Sequence, residues 1–151
     1  MTFKSRVSGP DTLIRTLAEF RFEMRRFLHF SESAALQAGL QPQQHQLLLQ
    51  VAGAPDATTV TIAYAAERLG LKHNSTVELV DRSEREGLLT RTADPDDKRR
   101  AILMVTRKGN QILDRLSGDH ARELNVLAPR LVQALENIRT HERFAASVEA
   151  R

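Results

Sequence analysis

Residues Leu69–Gly109 read LGLKHNSTVELVDRSEREGLLTRTADPDDKRRAILMVTRKG, and the periodicity of the chain changes inside them. Leu69-Gly70-Leu71 has the composition of a helix end and a tight turn. His73-Asn74-Ser75 then supplies polar side chains able to cap a new helix, which is expected to begin near Asn74. Thr76, Leu79 and Val80 fall at i, i+3 and i+4 and form a core-facing stripe, while Ser75, Glu78, Arg82 and Arg85 point elsewhere. Gly87 closes the helix, as glycine does just past a helix end. Beyond it, Leu88–Thr92 and Ala101–Val105 are short runs rich in leucine, isoleucine, valine and threonine, the composition of strands. Asp94-Pro95-Asp96-Asp97 between them has turn chemistry, because proline fixes φ and aspartate bonds nearby backbone.

Turn, helix, strand, charged hairpin tip and strand is the element order of a winged helix. The descending side of the hairpin starts with Lys98-Arg99-Arg100, three consecutive cations beside an exposed turn. A cationic finger on a two-stranded ribbon suits phosphates or a minor groove. An isolated basic triplet is more often a solvated loop, and it is the helix-turn-helix upstream that tips the reading toward nucleic acid.

The residues Ala66-Glu67-Arg68-Leu69-Gly70-Leu71, Leu79-Val80-Asp81-Arg82, Gly87-Leu88, Asp94-Pro95 with Asp97 and Arg99, and Thr106 with Gly109 resemble, together, the multiple-antibiotic-resistance regulator (MarR) family of winged-helix transcription factors. Outside roughly residues 60–110 the resemblance rests on length and helical pattern. It implies that the helix holding Ser75, Thr76 and Arg82 lies in the major groove and that Arg99 reaches into the minor groove. It also implies that Asp97 orients Arg99, as a carboxylate two residues from a guanidinium can do through a charge-assisted bond. Two positions depart from the family pattern: Glu78 stands where many relatives carry a basic or small polar residue, and Ser83 where a buried leucine is common. The candidate DNA contacts are His73, Asn74, Ser75, Thr76, Arg82, Lys98, Arg99 and Arg100. For His73, donation to a phosphate and a capping role are both open.

The 151 residues suit one domain of the mainly α class carrying a small β-hairpin wing, and are too few for two independent domains of ordinary size. With 22 basic and 19 acidic side chains the formal charge is only +3, so composition does not identify a nucleic-acid binder and the distribution of charge must. There is no cysteine, which removes disulfides, thiolate-ligated zinc and thiol redox sensing together. No apolar run approaches the roughly 18 residues needed to cross a bilayer. The opening MTFKSRVSGPD lacks the apolar region of a signal peptide, so a cytoplasmic location is expected.

Two helical flanks, roughly 11–38 and 108–148, enclose a winged helix-turn-helix over 42–107. After a loose arm ending at Gly9-Pro10, Asp11 or Thr12 can cap a helix in which Leu13, Leu17, Phe20, Met24 and Phe27 recur at a 3.5-residue spacing. Such a seam packs against another helix, either in the same chain or in a partner. Pro42 suits the first turn of a second helix that runs to Gly53. Ala54-Pro55-Asp56-Ala57 is a turn, Thr58–Val60 a candidate strand against the wing, and Thr61–Leu69 the supporting helix. Ala65 and Ala66 are small where the following helix must cross. Thr106 can cap a helix from Arg107, Gly118 is expected to interrupt its apolar period as a soft point or bend, and Pro129 to start a last helix carrying Leu131, Val132, Leu135, Ile138 and Phe144. The resemblance makes the terminal helices a homodimer interface, with Leu13, Leu17, Leu131, Leu135 and Ile138 as candidate contacts. A two-fold dimer would present two recognition helices about 34 Å apart, one turn of DNA, and read a pseudo-palindrome.

The five histidines have no metal-binding spacing, and the glycines make no phosphate loop, so neither enzyme activity, metal nor cofactor is expected. The resemblance further implies release from DNA by a small aromatic or phenolic ligand between the dimer helices and the winged module. Phe20, Met24, Phe27, Phe30, His45 and Leu49 are the candidate lining, and a fully packed core is the other reading of the same residues. Three functions remain open at this level: a dimeric repressor released by a ligand, a DNA-binding regulator without one, and a helical protein-interaction module that has lost DNA binding. The partners expected are double-stranded DNA, a second copy of the chain and, under the first reading, the small aromatic molecule. No membrane partner is expected.

Overall fold

Apolar residues at helical spacing from Leu13 to Leu36 fold as one helix, α1 (Pro10–Gln37). It is followed by α2 (Pro42–Ala52), α3 (Ile62–Leu69), α4 (His73–Arg85), β1 (Leu89–Ala93), β2 (Ala101–Val105) and α5 (Arg107–Glu149). This computed structural model describes residues 10–149, with the side chains of 12–143 and 146; the expected arm before Pro10 and the side chains of Asp11 and Phe144 lie outside the described residues. The chain divides into two compact units, one formed by Ser31–Asp119 and the other by residues up to Phe30 together with those from His120 onward.

In the first of these, three helices end in the same way. Gly39, Gly70 and Gly87 adopt φ of +81°, +64° and +70°, the left-handed region that glycine occupies without a Cβ penalty. Leu40, Leu71 and Leu88 follow, and their N–H groups donate back to Ala35, Ala66 and Ser83 at 2.9, 3.0 and 2.9 Å. This is the Schellman arrangement, and the leucine after each glycine turns toward the core. Leu40 and Leu88 are buried there with Leu47, Leu48, Ala65, Leu79, Val80, Leu89, Leu103, Leu113 and Leu116.

The hairpin pairs antiparallel, with Leu89 opposite Val105, Arg91 opposite Leu103 and Ala93 opposite Ala101. These pairs share one face, and the burial of Leu89 and Leu103 identifies it as the inner one. Thr106 joins the hairpin to α5: its backbone N–H donates to Leu88 O at 3.0 Å. Its Oγ1 accepts from the N–H of Gly109 at 3.1 Å, the expected N-cap.

Three expectations are corrected. Thr58–Val60 is not a strand; a single bond, Leu103 N–H to Val60 O at 2.8 Å, holds it to the wing. The chain enters that segment from a turn in which Ala57 has φ +65°, which leaves no extended run to pair. Pro129 does not start a new helix: the C-terminal helix runs unbroken through Gly118 with Pro129 inside it. Pro129 and Asn125 are both exposed, so the carbonyl deprived of its donor meets water. Finally, α4 starts at His73 with Lys72 as its N-cap and no side-chain cap bond, so His73, Asn74 and Ser75 belong to the first turn and do not cap it.

In the second unit, Phe27 and Phe30 meet the His120 ring edge-on, with centroids 5.8 and 5.4 Å away. Leu127 and Ala134 are buried, and the buried carboxylate of Glu23 is ion-paired to Arg130 at 3.3 Å and Arg26 at 3.5 Å. Ile14, Leu17, Phe22, Met24, Leu28, Val126, Val132 and Leu135 remain substantially exposed. No described helix is long and apolar enough to cross a membrane.

Candidate nucleic-acid interface

Helix α4 has two faces. Thr76, Leu79, Val80 and Ser83 are buried, while His73, Asn74, Ser75, Glu78, Arg82 and Arg85 are exposed. Thr76 corrects one expectation: it is fully buried and its hydroxyl donates to Lys72 O at 3.0 Å, so it holds the first turn and offers nothing outward. Ser83, where a larger side chain was the family expectation, is also fully buried, and its hydroxyl is satisfied by Leu79 O at 2.8 Å. Of the remaining contacts named from sequence, Arg82 and Lys98 make no side-chain bond or ion pair among the described residues.

The wing tip is held by carboxylates. Asp97 accepts from Arg99 at its backbone N–H (3.0 Å), Nε (3.1 Å) and Nη2 (3.2 Å), although the Arg99 side chain is 90% exposed. Those bonds hold the Asp97 carboxyl below its usual range. Asp97 therefore holds the Arg99 guanidinium in one orientation at the wing tip. Arg100 does otherwise: its Nη2 lies 2.8 Å from the buried Asp94 Oδ2, an ion pair without hydrogen-bond alignment. Asp94 Oδ1 in turn accepts from the Asp96 N–H at 2.9 Å. Arg100 thus braces the turn on which Arg99 sits.

Sequence reasoning missed the residue that joins these parts. Arg91, on the inner face of β1, reaches Asp81 at 2.8 Å and Glu84 at 3.1 Å, and its backbone N–H donates to Glu84 Oε2 at 3.0 Å. One guanidinium therefore clamps the last turns of α4 to the wing. Arg91 holds the Glu84 carboxyl below its ordinary value, chiefly through the side-chain hydrogen bond and against a desolvation that works the other way. A depressed carboxylate contributes stability that is present above the unfolded pKa and lost as pH falls through the lower folded value. Exposed pairs contribute about 0.2–1 kcal/mol each, so Arg91→Ala is expected to cost roughly 1 kcal/mol at pH 7. That cost should shrink below pH 4.5, the ordinary glutamate value. Urea denaturation of both proteins at pH 7 and pH 3.5 tests this, and an equal difference at both pH values would reject the clamp's electrostatic origin. A second tie, Gln44 Nε2 to Glu86 Oε2 at 3.0 Å, fixes α2 to the end of α4.

The aromatic candidates divide between the two units. Phe27 and Phe30 come together around His120, with Phe20 half-buried and Met24 exposed in the same unit; His45 is buried and Leu49 exposed in the other. Among the described residues no group of histidine and acidic side chains could hold a metal ion.

A two-stranded wing clamped to an amphipathic helix behind a helix-turn-helix defines a winged-helix DNA-binding regulator. The MarR family profile matches residues 38–100, which carry α2, α3, α4, β1 and the wing turn. Over that stretch the chain is similar to the MarR family of transcriptional regulators. It is 28% identical over 121 residues to the "Putative transcriptional regulatory protein for hcr operon" of Thauera aromatica, covering 77% of this chain and 71% of that one. Among solved structures it is similar to a MarR family protein from Bacillus stearothermophilus, with a TM-score of 0.69 at 19% identity over 95% of this chain and 99% of that one. It is also similar to the S. aureus MepR–DNA complex, with a TM-score of 0.63 at 20% identity over 87% of this chain and 95% of that one. At these identities the solved structures establish the fold alone.

Proposed function

We propose that the chain acts as a homodimeric repressor of a pseudo-palindromic operator, with α4 of each subunit in a major groove and Arg99 in the neighbouring minor groove. The observation that carries this reading is the Arg91 clamp, which makes the polar outer face of α4 and the Asp97-held Arg99 parts of one braced module. Arg82 and Lys98 are available for phosphates, and the uncapped first turn of α4 can donate backbone N–H groups to another. Thr76 acts from inside the fold, and Arg100, half exposed, braces the wing turn through Asp94. The MepR structure, solved with DNA on a similar fold, supports the same use here. Repression follows from occupancy, since a dimer across successive major grooves excludes other proteins from the same DNA.

The test is fluorescence anisotropy on DNA from directly upstream of the chain's own gene, at two salt concentrations and against scrambled DNA. Tight binding absent from the scrambled duplex is expected; equal weak binding to both would favour a protein-interaction module.

Dimerisation is supported by the apolar side chains left in water at the chain's ends. Leu17, Met24 and Leu135 are 42%, 43% and 46% exposed, and Leu13, Leu131 and Ile138 are only half-buried, apolar side chains that a second copy could cover. Leu17→Glu combined with Met24→Glu is expected to give a 17.0 kDa monomer in sedimentation equilibrium and to abolish tight operator binding. A surviving dimer would remove this seam from the interface.

The cluster of Phe27, Phe30 and His120 favours a second layer of control, in which a small aromatic acid binds and lowers DNA affinity. Its effect requires only different affinities for the DNA-competent and other arrangements. Titration of 4-hydroxybenzoate into the protein–operator complex checks it: release supports ligand control, and no release from this or related phenolic acids supports a constitutive regulator.

A further inference from the structure

We infer that Glu78 is a specificity-determining residue that reads a cytosine in each operator half-site. The inference rests on the DNA-binding reading above and deepens it.

Glu78 stands at the centre of the exposed face of α4. At roughly 100° per residue, Asn74, Ser75, Arg82 and Arg85 all project within about 60° of it. Buried Thr76, Leu79, Val80 and Ser83 lie on the far side. Any nucleic acid that meets this face meets Glu78. The other acids of α4 and its C-cap are engaged: Asp81 and Glu84 by Arg91, and Glu86 by Gln44. Glu78 makes no hydrogen bond or ion pair among the described residues, not even with Arg82 one turn on. It reaches the interface as an unneutralised carboxylate.

Such a group is repelled by phosphates, so it does nothing for non-specific affinity. It can only accept hydrogen bonds, and it is tolerated where the base edge offers a donor. In the major groove guanine presents N7 and O6 acceptors and thymine an O4 acceptor. Adenine sets an N7 acceptor beside its amino group, while cytosine presents its N4 amino donor alone. Cytosine is therefore the base that best compensates the carboxylate: guanine and thymine oppose it with acceptors, and adenine sets the N7 acceptor beside its one donor.

The experiment is selection of binding sites from random duplex DNA by the full-length wild type, Glu78→Ala and Glu78→Gln, followed by competition anisotropy on the selected site. Because Glu78 is exposed, thermal midpoints of the three proteins should agree and any change is then one of recognition. For the wild type, a cytosine related by the two-fold axis should appear in each half-site, and replacing it should weaken binding about 10- to 100-fold. Glu78→Ala should lose that dependence to within about twofold and bind scrambled DNA more tightly. Glu78→Gln should shift the preference toward adenine, which glutamine pairs through N6 and N7. Selection of a site to which wild type and Glu78→Ala respond alike at every position would overturn the role of Glu78 alone. Enrichment of no site by the wild type would overturn the DNA-binding reading, and this inference with it.

Discussion

Arg99→Ala is expected to weaken operator binding on the order of 100-fold and to flatten its salt dependence by about two in the log–log slope. The magnitude follows from two copies of one contact. A hydrogen bond to a charged group contributes roughly 1.5–3 kcal/mol, so the loss is about tenfold per half-site and is squared in a dimer. Each cation withdrawn from the phosphate backbone removes about 0.9 from the slope. The effect is large because the side chain is both exposed and restrained: Asp97 accepts from the guanidinium at Nε and Nη2, and from the Arg99 backbone N–H besides, while 90% of the side chain stays accessible. Little rotamer entropy is left to lose on binding. The Asp97 carboxyl lies below its ordinary value of 3.8, held there by Arg99. The clasp is therefore complete above that value and is lost only as pH falls through the depressed one, so it persists throughout the neutral range. Two further variants separate charge from geometry. Arg99→Lys should keep the salt slope but lose affinity, because an ammonium does not reproduce the planar fork. Asp97→Ala should lose less than Arg99→Ala, since it frees the arginine but also removes a negative charge from the interface. Unchanged affinity and slope in Arg99→Ala would take the wing out of DNA recognition.

What could be read in advance was whatever local chemistry fixes. The wing strands were legible because the period changes from helical to alternating at Leu88 and the Asp94-Pro95-Asp96-Asp97 turn interrupts the run. The ends of α1, α3 and α4 were legible because glycine followed by leucine is what a left-handed cap with a core contact requires. Pairings between elements were not. Arg91 looks like one polar residue in an alternating strand, and nothing in its neighbourhood says that its partners are Asp81 and Glu84 across a helix–strand corner. Lys98, Arg99 and Arg100 are indistinguishable in sequence, yet Arg100 turns to Asp94 while Arg99 stays outward. Thr76 belongs to the apolar stripe and to the polar first turn at once, and only its buried bond to Lys72 decides between them. At Pro129 the local rule misled, because helical apolar spacing on both sides outweighed one missing backbone bond at an exposed turn.

Gly109→Ala should destabilise the protein by about 2 kcal/mol, and the sign is informative because two effects compete. Gly109 lies in the first turns of α5 and has no positive φ, so alanine can adopt its backbone conformation. On helix propensity alone the substitution should stabilise by up to roughly 1 kcal/mol. Against this, a Cβ at Gly109 would fall 2.4 Å from the carbonyl oxygen of Leu88 and 2.6 Å from Val105 Cγ1. The valine methyl can move; the carbonyl cannot do so cheaply. Leu88 O accepts from Thr106 N–H at 3.0 Å, and the Leu88 N–H is committed to Ser83 O at 2.9 Å, closing α4. Relief of the overlap must therefore shift the junction between α4, the wing and α5. Overpacking of this kind costs about 1–3 kcal/mol and occasionally more, which exceeds the gain in propensity. At fixed protein concentration the thermal midpoint should fall by roughly 4–8 °C. The two contacts can be told apart by a double mutant. Val105→Ala removes the side-chain overlap and leaves the backbone one, so it should not rescue Gly109→Ala. Full rescue would mean that the valine, and not the Leu88 carbonyl, sets the requirement for glycine. A rise in midpoint for Gly109→Ala alone would mean that α5 can draw back from the wing without loss.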